Sequence, residues 1–215
     1  MAKYRRGKKI EPATLSMQFV ANVGSGRQNS FIDISQCASL INRRFYRQGI
    51  AWVVAGIKIV NLSPATAGEI AIGKLPTTWT MGNAWNKGFE TWRKMNDEAL
   101  EESESVRARF EDFKIYANAE HHTIGYAGNL LPRGFTNTAS NVATPGEWEP
   151  SKIVIPNTDG AVGAVSNFEM IATGASYPGG GASGLNAVSL IEGYAASRAL
   201  PYQTDPNTPD DATGS

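Results

Sequence analysis

Two adjacent histidines beside a glutamate are the first residues in this sequence that could carry out acid–base or metal chemistry. They are Glu120, His121 and His122, and the chain has no other histidine. On a strand, adjacent side chains point to opposite faces, so one histidine and the glutamate would form at best a partial metal site. No HxxxH, HExxH or multi-cysteine pattern supplies further ligands. A solvated or interface pair, which could respond to pH, is the favoured interpretation.

The other candidates for chemistry also lack a catalytic or cofactor pattern. The glycine run at 179–184 has no GxxxxGK[ST] signature and is interpreted as a flexible loop. Cys37 is the only cysteine, and no His and Asn/Asp arrangement of known spacing accompanies it. The acids at 205, 210 and 211 favour a solvated tail over a calcium site. The sequence therefore predicts a protein that is not an enzyme and binds no metal or other cofactor.

Positive charge is concentrated near the N-terminus. Residues 1–60 contain ten basic residues and only two acids, a charge of about +8, although the whole chain has 20 of each sign. Lysine and arginine neutralise phosphates and release counterions, which gives salt-sensitive nucleic-acid binding. The neighbouring Phe45 and Tyr46 could stack on bases, although aromatics beside a strand end more often pack. The candidate nucleic-acid-binding residues are Lys3, Arg5, Arg6, Lys8, Lys9, Arg43, Arg44 and Arg47.

The composition excludes several classes of protein. At 41% hydrophobic and 19% charged residues, the chain can bury a core, which argues against global disorder. No apolar run approaches the ~18 residues that a membrane span needs. The basic N-terminus is not followed by an apolar stretch, so we expect no secretory signal. One large domain is expected, with a basic flexible arm at 1–12, a body at 13–203 and an exposed polar tail or loop at 204–215, where the natural chain could continue.

Hydrophobic periodicity predicts short strands and one clear helix. The strongest strand signal is AWVVAGIKIVNL at 51–62, which we expect to pair with a strand at 68–75. An amphipathic helix near 83–105 carries Trp85, Phe89 and Trp92 on a face predicted to be buried. Residues 31–41 and 186–200 could each be strand or helix. Further strands are predicted at 14–23, 109–118, 152–156 and 161–174.

This order of elements predicts an all-β fold. Strands do not alternate with helices along the chain, which argues against a parallel doubly wound sheet. The many turns and the seven or eight short strands favour a β-sandwich or jelly roll with one helical insertion.

Three segments together carry a resemblance to a known family. They are the basic AKYRRGKK, the strand AWVVAGIKIVNL and the helical NAWNKGFETWRKMNDEAL. In this order, and with the long loops that follow, the chain resembles the capsid proteins of small circular Rep-encoding single-stranded DNA viruses. It is also similar in plan to the shell domains of small RNA viruses. The likeness is most particular between Trp79 and Tyr116 and looser elsewhere.

The resemblance implies a viral structural protein. Its fold would be a single jelly roll of two antiparallel four-stranded sheets, and many copies would assemble into an icosahedral T=1 shell. The basic arm and inner-surface arginines would package viral single-stranded DNA in the virion, and the subunit would enter the host nucleus for assembly, with no membrane partner. The alternative is a soluble β-sandwich that binds carbohydrate or another ligand. A hydrolase on a β-sandwich would rest on Glu120, His121 and His122 alone.

Overall fold

The structure is a computed structural model that describes residues 13–14, 16–21, 24, 26–62, 68–101, 111–134, 142–156 and 163–198. These residues form four α-helices, one short 3₁₀ helix and one three-stranded sheet. The elements are α1 (Ile34–Asn42), α2 (Trp79–Ala99), α3 (Ala119–Ile124), the 3₁₀ helix (Tyr126–Gly128), β1 (Ile153–Pro156), β2 (Val165–Ile171), β3 (Ala187–Ser189) and α4 (Leu190–Arg198).

The predicted all-β jelly roll of two four-stranded sheets is wrong. The described residues are mixed α and β, and their single sheet has the order β1-β2-β3, with β1 antiparallel and β3 parallel to β2. The β-sandwich of the alternative interpretation fails on the same finding. The predicted arm at 1–12 and the predicted tail at 204–215 lie outside the described residues.

Several predicted strands are not strands, because few or none of their described backbone groups pair with a neighbouring strand. Within 109–118, Tyr116 makes one isolated parallel bridge, to Ile171 of β2. The described residues of 51–62 and 68–75 form neither helix nor strand. Within 14–23, the described residues make only one isolated bridge, from Gln18 to Arg133. In residues 111–115, two backbone N–H groups donate to side chains instead of to another strand. The Ile115 N–H donates to Gln48 Oε1 (2.8 Å), and the Lys114 N–H donates to Ser151 Oγ (2.9 Å).

Other predictions are confirmed in outline. The helix expected near 83–105 is α2, which begins earlier, at Trp79, where the side chain of Thr78 accepts from the Met81 N–H. The strands expected at 152–156 and 161–174 are β1 and β2. Within 31–41, the residues from Ile34 onward are helical and belong to α1, which Asp33 caps by accepting from two amides of its first turn. Residues 186–200 contain both alternatives, β3 followed directly by α4.

The core lies on both sides of β2. On one side, α2 and α4 pack over a cluster that includes Phe89, Phe113 and Met170, with Trp85 and Trp92 at its edge. This confirms that the aromatic face of α2 is a packing face. On the other side, Ile171 joins a second cluster with Tyr116, Tyr126 and Trp148. The candidate interface lies between α1 and α2 in the chain.

Candidate assembly and nucleic-acid interface

The most unusual feature of the surface is a long apolar stretch between α1 and α2. We call residues 50–62 and 68–75 the apolar segment. Val53 is 92% exposed and Leu62 is 81% exposed, values typical of side chains that pack against nothing in their own subunit. The large hydrophobic residues exposed in this segment are Ile50, Trp52, Val53, Val54, Ile57, Ile59, Val60, Leu62, Ile70, Ile72 and Leu75. Contiguous exposure on this scale marks a surface that another molecule covers.

The first residues of the apolar segment are anchored to the body. Trp52 donates from Nε1 to Ser35 Oγ at 2.9 Å, and its ring meets Tyr46 edge-on at 5.7 Å. Gly49 has a φ of +84° and approaches Trp85 so closely that a Cβ there would lie 2.5 Å from the indole ring. Only glycine tolerates both the backbone conformation and the contact. The segment therefore leaves the body from a fixed point.

Sequence alternation shows that both faces of an extended apolar segment would be apolar. Val53, Ile57 and Ile59 share one face, whereas Val54 and Val60 lie on the other, which Lys58 interrupts. Strands that are apolar on both faces are normally covered on both sides by protein. The segment therefore has the composition of a buried strand and the exposure of a surface loop, and burial against another molecule removes this conflict.

Three of the predicted nucleic-acid-binding residues lie together at the base of the apolar segment. Arg43, Arg44 and Arg47 are all exposed, and none forms a salt bridge with another described residue. Arg43 ends α1 in the left-handed conformation (φ 48°), with its N–H donating to the carbonyl of Ser39. The carbonyl of Arg47 accepts from Ser35 Oγ at 3.1 Å. The turn thus presents three guanidinium groups from a fixed backbone.

A polar network holds this turn against the core. One carboxylate oxygen of Asp33, Oδ2, accepts from Gln48 Nε2 (2.8 Å) and from Trp148 Nε1 (3.1 Å), while Oδ1 caps α1. Gln48 is also 3.0 Å from the buried hydroxyl of Tyr126 and bonds both backbone groups of Ile115. Sequence patterns gave no sign of this network because its members are far apart in the chain.

The five other predicted nucleic-acid-binding residues, Lys3, Arg5, Arg6, Lys8 and Lys9, lie outside the described residues. The two aromatics between the arginines are committed to packing. Phe45 is half-buried with its ring centroid 6.0 Å from that of Trp148, and Tyr46 packs against Trp52. Each ring is therefore half-buried beside another aromatic ring, which leaves less of its surface for base stacking.

The histidine pair is buried, and it lies on α3 rather than on a strand. His121 Nδ1 accepts from the Ala117 N–H at 3.0 Å, so its proton is on Nε2, which lies 2.8 Å from Asn129 Oδ1. Burial lowers the pKa of His121 below the ordinary 6.5, because the charged form loses its hydration. Glu120 is exposed and accepts from Asn29 Nδ2. The expectation of a solvated or interface pair is wrong for both histidines.

His122 forms a second buried interaction, with a glutamate that the sequence gave no reason to select. Its Nε2 lies 2.8 Å from Glu169 Oε2, and both side chains are at most 1% exposed. The second oxygen, Glu169 Oε1, has no hydrogen-bond partner. Gly181 of the glycine run closes over the ring, since a Cβ at this position would lie 2.4 Å from His122 Nε2. Within the run, Gly181 thus packs against the pair, whereas a Cβ at Gly179 or Gly184 would meet nothing.

The remaining candidates for chemistry are Cys37 and the acids near the C-terminus, and Cys37 is unreactive because it is buried. Cys37 is fully buried, and desolvation raises its thiol pKa to about 12, so the reactive thiolate is scarce at neutral pH. Within the described ranges, no three His, Cys, Asp or Glu side chains are grouped so that they could hold a metal ion. The acids at 205, 210 and 211 lie outside those ranges.

No protein-family model, curated protein or solved structure matches this chain. In the part of the chain that the structure describes, no helix is both long enough and apolar enough to cross a bilayer. The arguments for function therefore rest on the chain's own geometry and on the resemblance stated above.

Proposed function

We propose that this chain is the subunit of a multi-copy shell, a viral capsid protein, whose copies associate through the apolar segment and which packages single-stranded DNA. The exposure of the apolar segment is the observation that carries the proposal. Such a segment costs solubility in a lone subunit and is explained once another copy covers it. The proposal keeps the function that the resemblance implies and does not depend on a jelly-roll fold.

The size of the exposed surface supports an extensive contact. Taking ~150 Å² for a large apolar residue, the exposed fractions of the eleven side chains amount to about 1,000 Å². One partner in a standard protein–protein interface contributes ~800 Å², and obligate interfaces are larger and more apolar. The apolar segment alone therefore offers one full share of a stable contact between copies.

Nucleic-acid binding is assigned to the arginine turn and to the basic N-terminal residues. Arg43, Arg44 and Arg47 stand at the base of the apolar segment, and a shell of many copies would repeat this arginine turn in every subunit. Repeated clusters of exposed guanidinium groups suit the phosphate backbone and need no sequence recognition. An icosahedral T=1 shell, a virion location and passage through the host nucleus follow from the resemblance.

The proposed protein is not an enzyme. Catalysis needs groups that reach a substrate. Of the candidate groups, His121, His122 and Cys37 are buried, and the exposed Glu120 is engaged with Asn29. The arrangement around His121 also fixes the ring by two hydrogen bonds and by stacking on Phe31 at 4.7 Å. These contacts are typical of structural histidines.

Sedimentation velocity tests the assembly. Wild-type protein should sediment as large particles, whereas the double variant I57N/I59N should sediment as a small species with unchanged circular dichroism, because both side chains are more than half exposed. The matched control is I32N/V142N, which changes two exposed residues outside the segment and should assemble normally. Wild-type protein that stays monomeric at high concentration and neutral salt would contradict the proposal.

The arginine turn is tested by titration with an oligonucleotide. Changing Arg43, Arg44 and Arg47 together to Gln should reduce the slope of log affinity against log salt by about 2, at ~0.7 per lost phosphate contact with a single strand. The control changes three exposed basic residues elsewhere, Arg27, Lys94 and Lys152, to Gln. An equal loss of slope in the control would show that only total charge matters.

A further inference from the structure

An exposed aromatic cluster lies where α2 and α4 pack together. Along α2, Trp79, Asn83 and Lys87 recur every four residues and so share one face. Along α4, Tyr194 and Arg198 are likewise four residues apart. We call these five residues the Trp79 platform. The sequence patterns that identify Trp85, Phe89 and Trp92 as core residues do not include it.

Four members of the Trp79 platform contact one another, and Lys87 lies one turn beyond Asn83 on the same face of α2. Asn83 Nδ2 donates to the Tyr194 hydroxyl at 3.3 Å, and Arg198 Nη1 donates to the same oxygen at 2.9 Å. The Arg198 guanidinium carbon lies 5.5 Å from the centre of the Trp79 ring and 5.6 Å from that of Tyr194. The two helices are themselves held tightly, because Gly88 of α2 allows Leu190 of α4 to approach it closely. The platform is therefore a preorganised surface.

The indole of Trp79 is 66% exposed although a cation approaches it. Burying such a ring in the core would stabilise the fold, so its exposure at a fixed position is a cost to the lone subunit. The two aromatics that the sequence suggested for stacking, Phe45 and Tyr46, are both committed to packing. Trp79 instead presents a large aromatic surface to solvent.

The charge around the Trp79 platform is positive. Lys87 and Arg198 are both exposed. The hydrogen bond that Arg198 donates to the Tyr194 hydroxyl is the main cause of a lowered Tyr194 pKa, and the hydrogen bond from Asn83 adds to it. The nearest acid along α2, Glu90, pairs with Arg93 at 3.6 Å. Glu192 of α4 accepts from the backbone N–H of Ser176. The carboxylates of these two acids are thus engaged with groups outside the platform.

We propose that the Trp79 platform is a base-stacking site for single-stranded nucleic acid, in addition to the phosphate contacts of the arginine turn. Trp79 stacks on one base, Arg198 and Lys87 contact the flanking phosphates, and Tyr194 holds Arg198 in place. An aromatic ring beside cations is the combination by which single strands are bound without sequence preference. A duplex offers no free base faces, so the platform selects single strands. This inference rests on the proposed function, since it specifies how the DNA is held.

The test is a titration of the full chain with fluorescein-labelled oligothymidylate at several salt concentrations. The variant W79A should bind about tenfold more weakly with an unchanged salt slope, because it loses the stacking of one base and stacking releases no counterion. The variant W79F should keep most of the affinity. The variant R198Q should reduce the slope by about 0.7. The control Y177A removes an equally exposed aromatic outside the platform and should bind as wild type.

Three results would overturn the stacking site while leaving the proposed function intact. The first is salt-dependent binding by W79A at wild-type affinity. The second is an equal loss in Y177A, which would mean that any exposed aromatic contributes. Loss of particle formation in W79A, with binding per subunit unchanged, would place Trp79 in the contact between copies and would also overturn the site. If wild-type protein fails to bind the oligonucleotide at any salt concentration, the proposed function fails together with this inference.

Discussion

Replacing His122 with Ala should destabilise the protein far more than any nearby surface change, because it leaves the Glu169 carboxylate buried and unpaired. In the wild type, Oε2 has one partner at 2.8 Å and Oε1 has none, and the side chain is completely buried. Removing one member of a buried pair typically costs ~3–5 kcal/mol. For a chain of this size, that loss lowers the melting temperature by roughly 6–20 °C.

Glu169→Gln should cost much less stability than His122→Ala. It removes the buried charge but keeps the shape and a group that can bond His122 Nε2, so it should cost less than ~1.5 kcal/mol. In the double variant H122A/E169Q, the uncompensated charge is absent. The cost should therefore fall at least ~1 kcal/mol below the sum of the single costs, the sign of coupling between contacting residues.

Urea unfolding followed by circular dichroism measures all three variants. The control is Glu120→Gln, on the exposed side of α3, which should change the free energy of unfolding by less than ~0.5 kcal/mol. A cost below ~1 kcal/mol for H122A would refute the reasoning. So would single-variant costs that add within ~0.3 kcal/mol, because the two side chains would then not be coupled.

Three further predictions concern other buried positions. Cys37 should resist alkylation at pH 8 in the native protein and react fully in urea, since burial raises its thiol pKa to about 12; rapid native labelling would show that the site opens. Because the pKa of folded His121 lies below 6.5, the unfolded chain binds a proton first as pH falls. Stability should then drop below pH 6.5 by up to ~1.4 kcal/mol per pH unit, and H121Q should lack this component in urea unfolding between pH 7.5 and 5. Gly181→Ala should lower the melting temperature by forcing a methyl group against His122, whereas Gly68→Ala, where a Cβ meets nothing, should not.

Sequence patterns correctly predicted α2, β1 and β2, because these elements depend on residues that are close together in the chain. The helical spacing of Trp85, Phe89 and Trp92 predicted α2 and its buried face. Short β-branched runs predicted β1 and β2, which do find partners in the sheet. The predicted overall fold was wrong because strand propensity at 51–62 says only that a residue suits a sheet. Pairing also requires a neighbouring strand, which the described residues do not supply.

The site depended on tertiary contacts that sequence spacing cannot show. Arg43, Arg44 and Arg47 could be selected from charge alone, and they are exposed as that selection requires. His121 and His122 were expected at the surface, yet the fold buries both and pairs one with Glu169, 47 residues away in the chain. The sequence could have drawn attention to Trp79, which precedes the apolar face of α2. Only the packing of α4 against α2 shows that Arg198 lies beside the Trp79 ring.

Hydrogen–deuterium exchange of the peptide covering residues 51–62 tests the central claim most directly, since it reports whether another copy covers the apolar segment. These amides should exchange slowly in assembled protein, and fast after dilution or in the I57N/I59N variant. Amides of α2, which belong to the subunit core, should stay protected in both states. Fast exchange at 51–62 in the assembled protein, or equal protection in the isolated subunit, would show that contact with another copy does not cover the apolar segment.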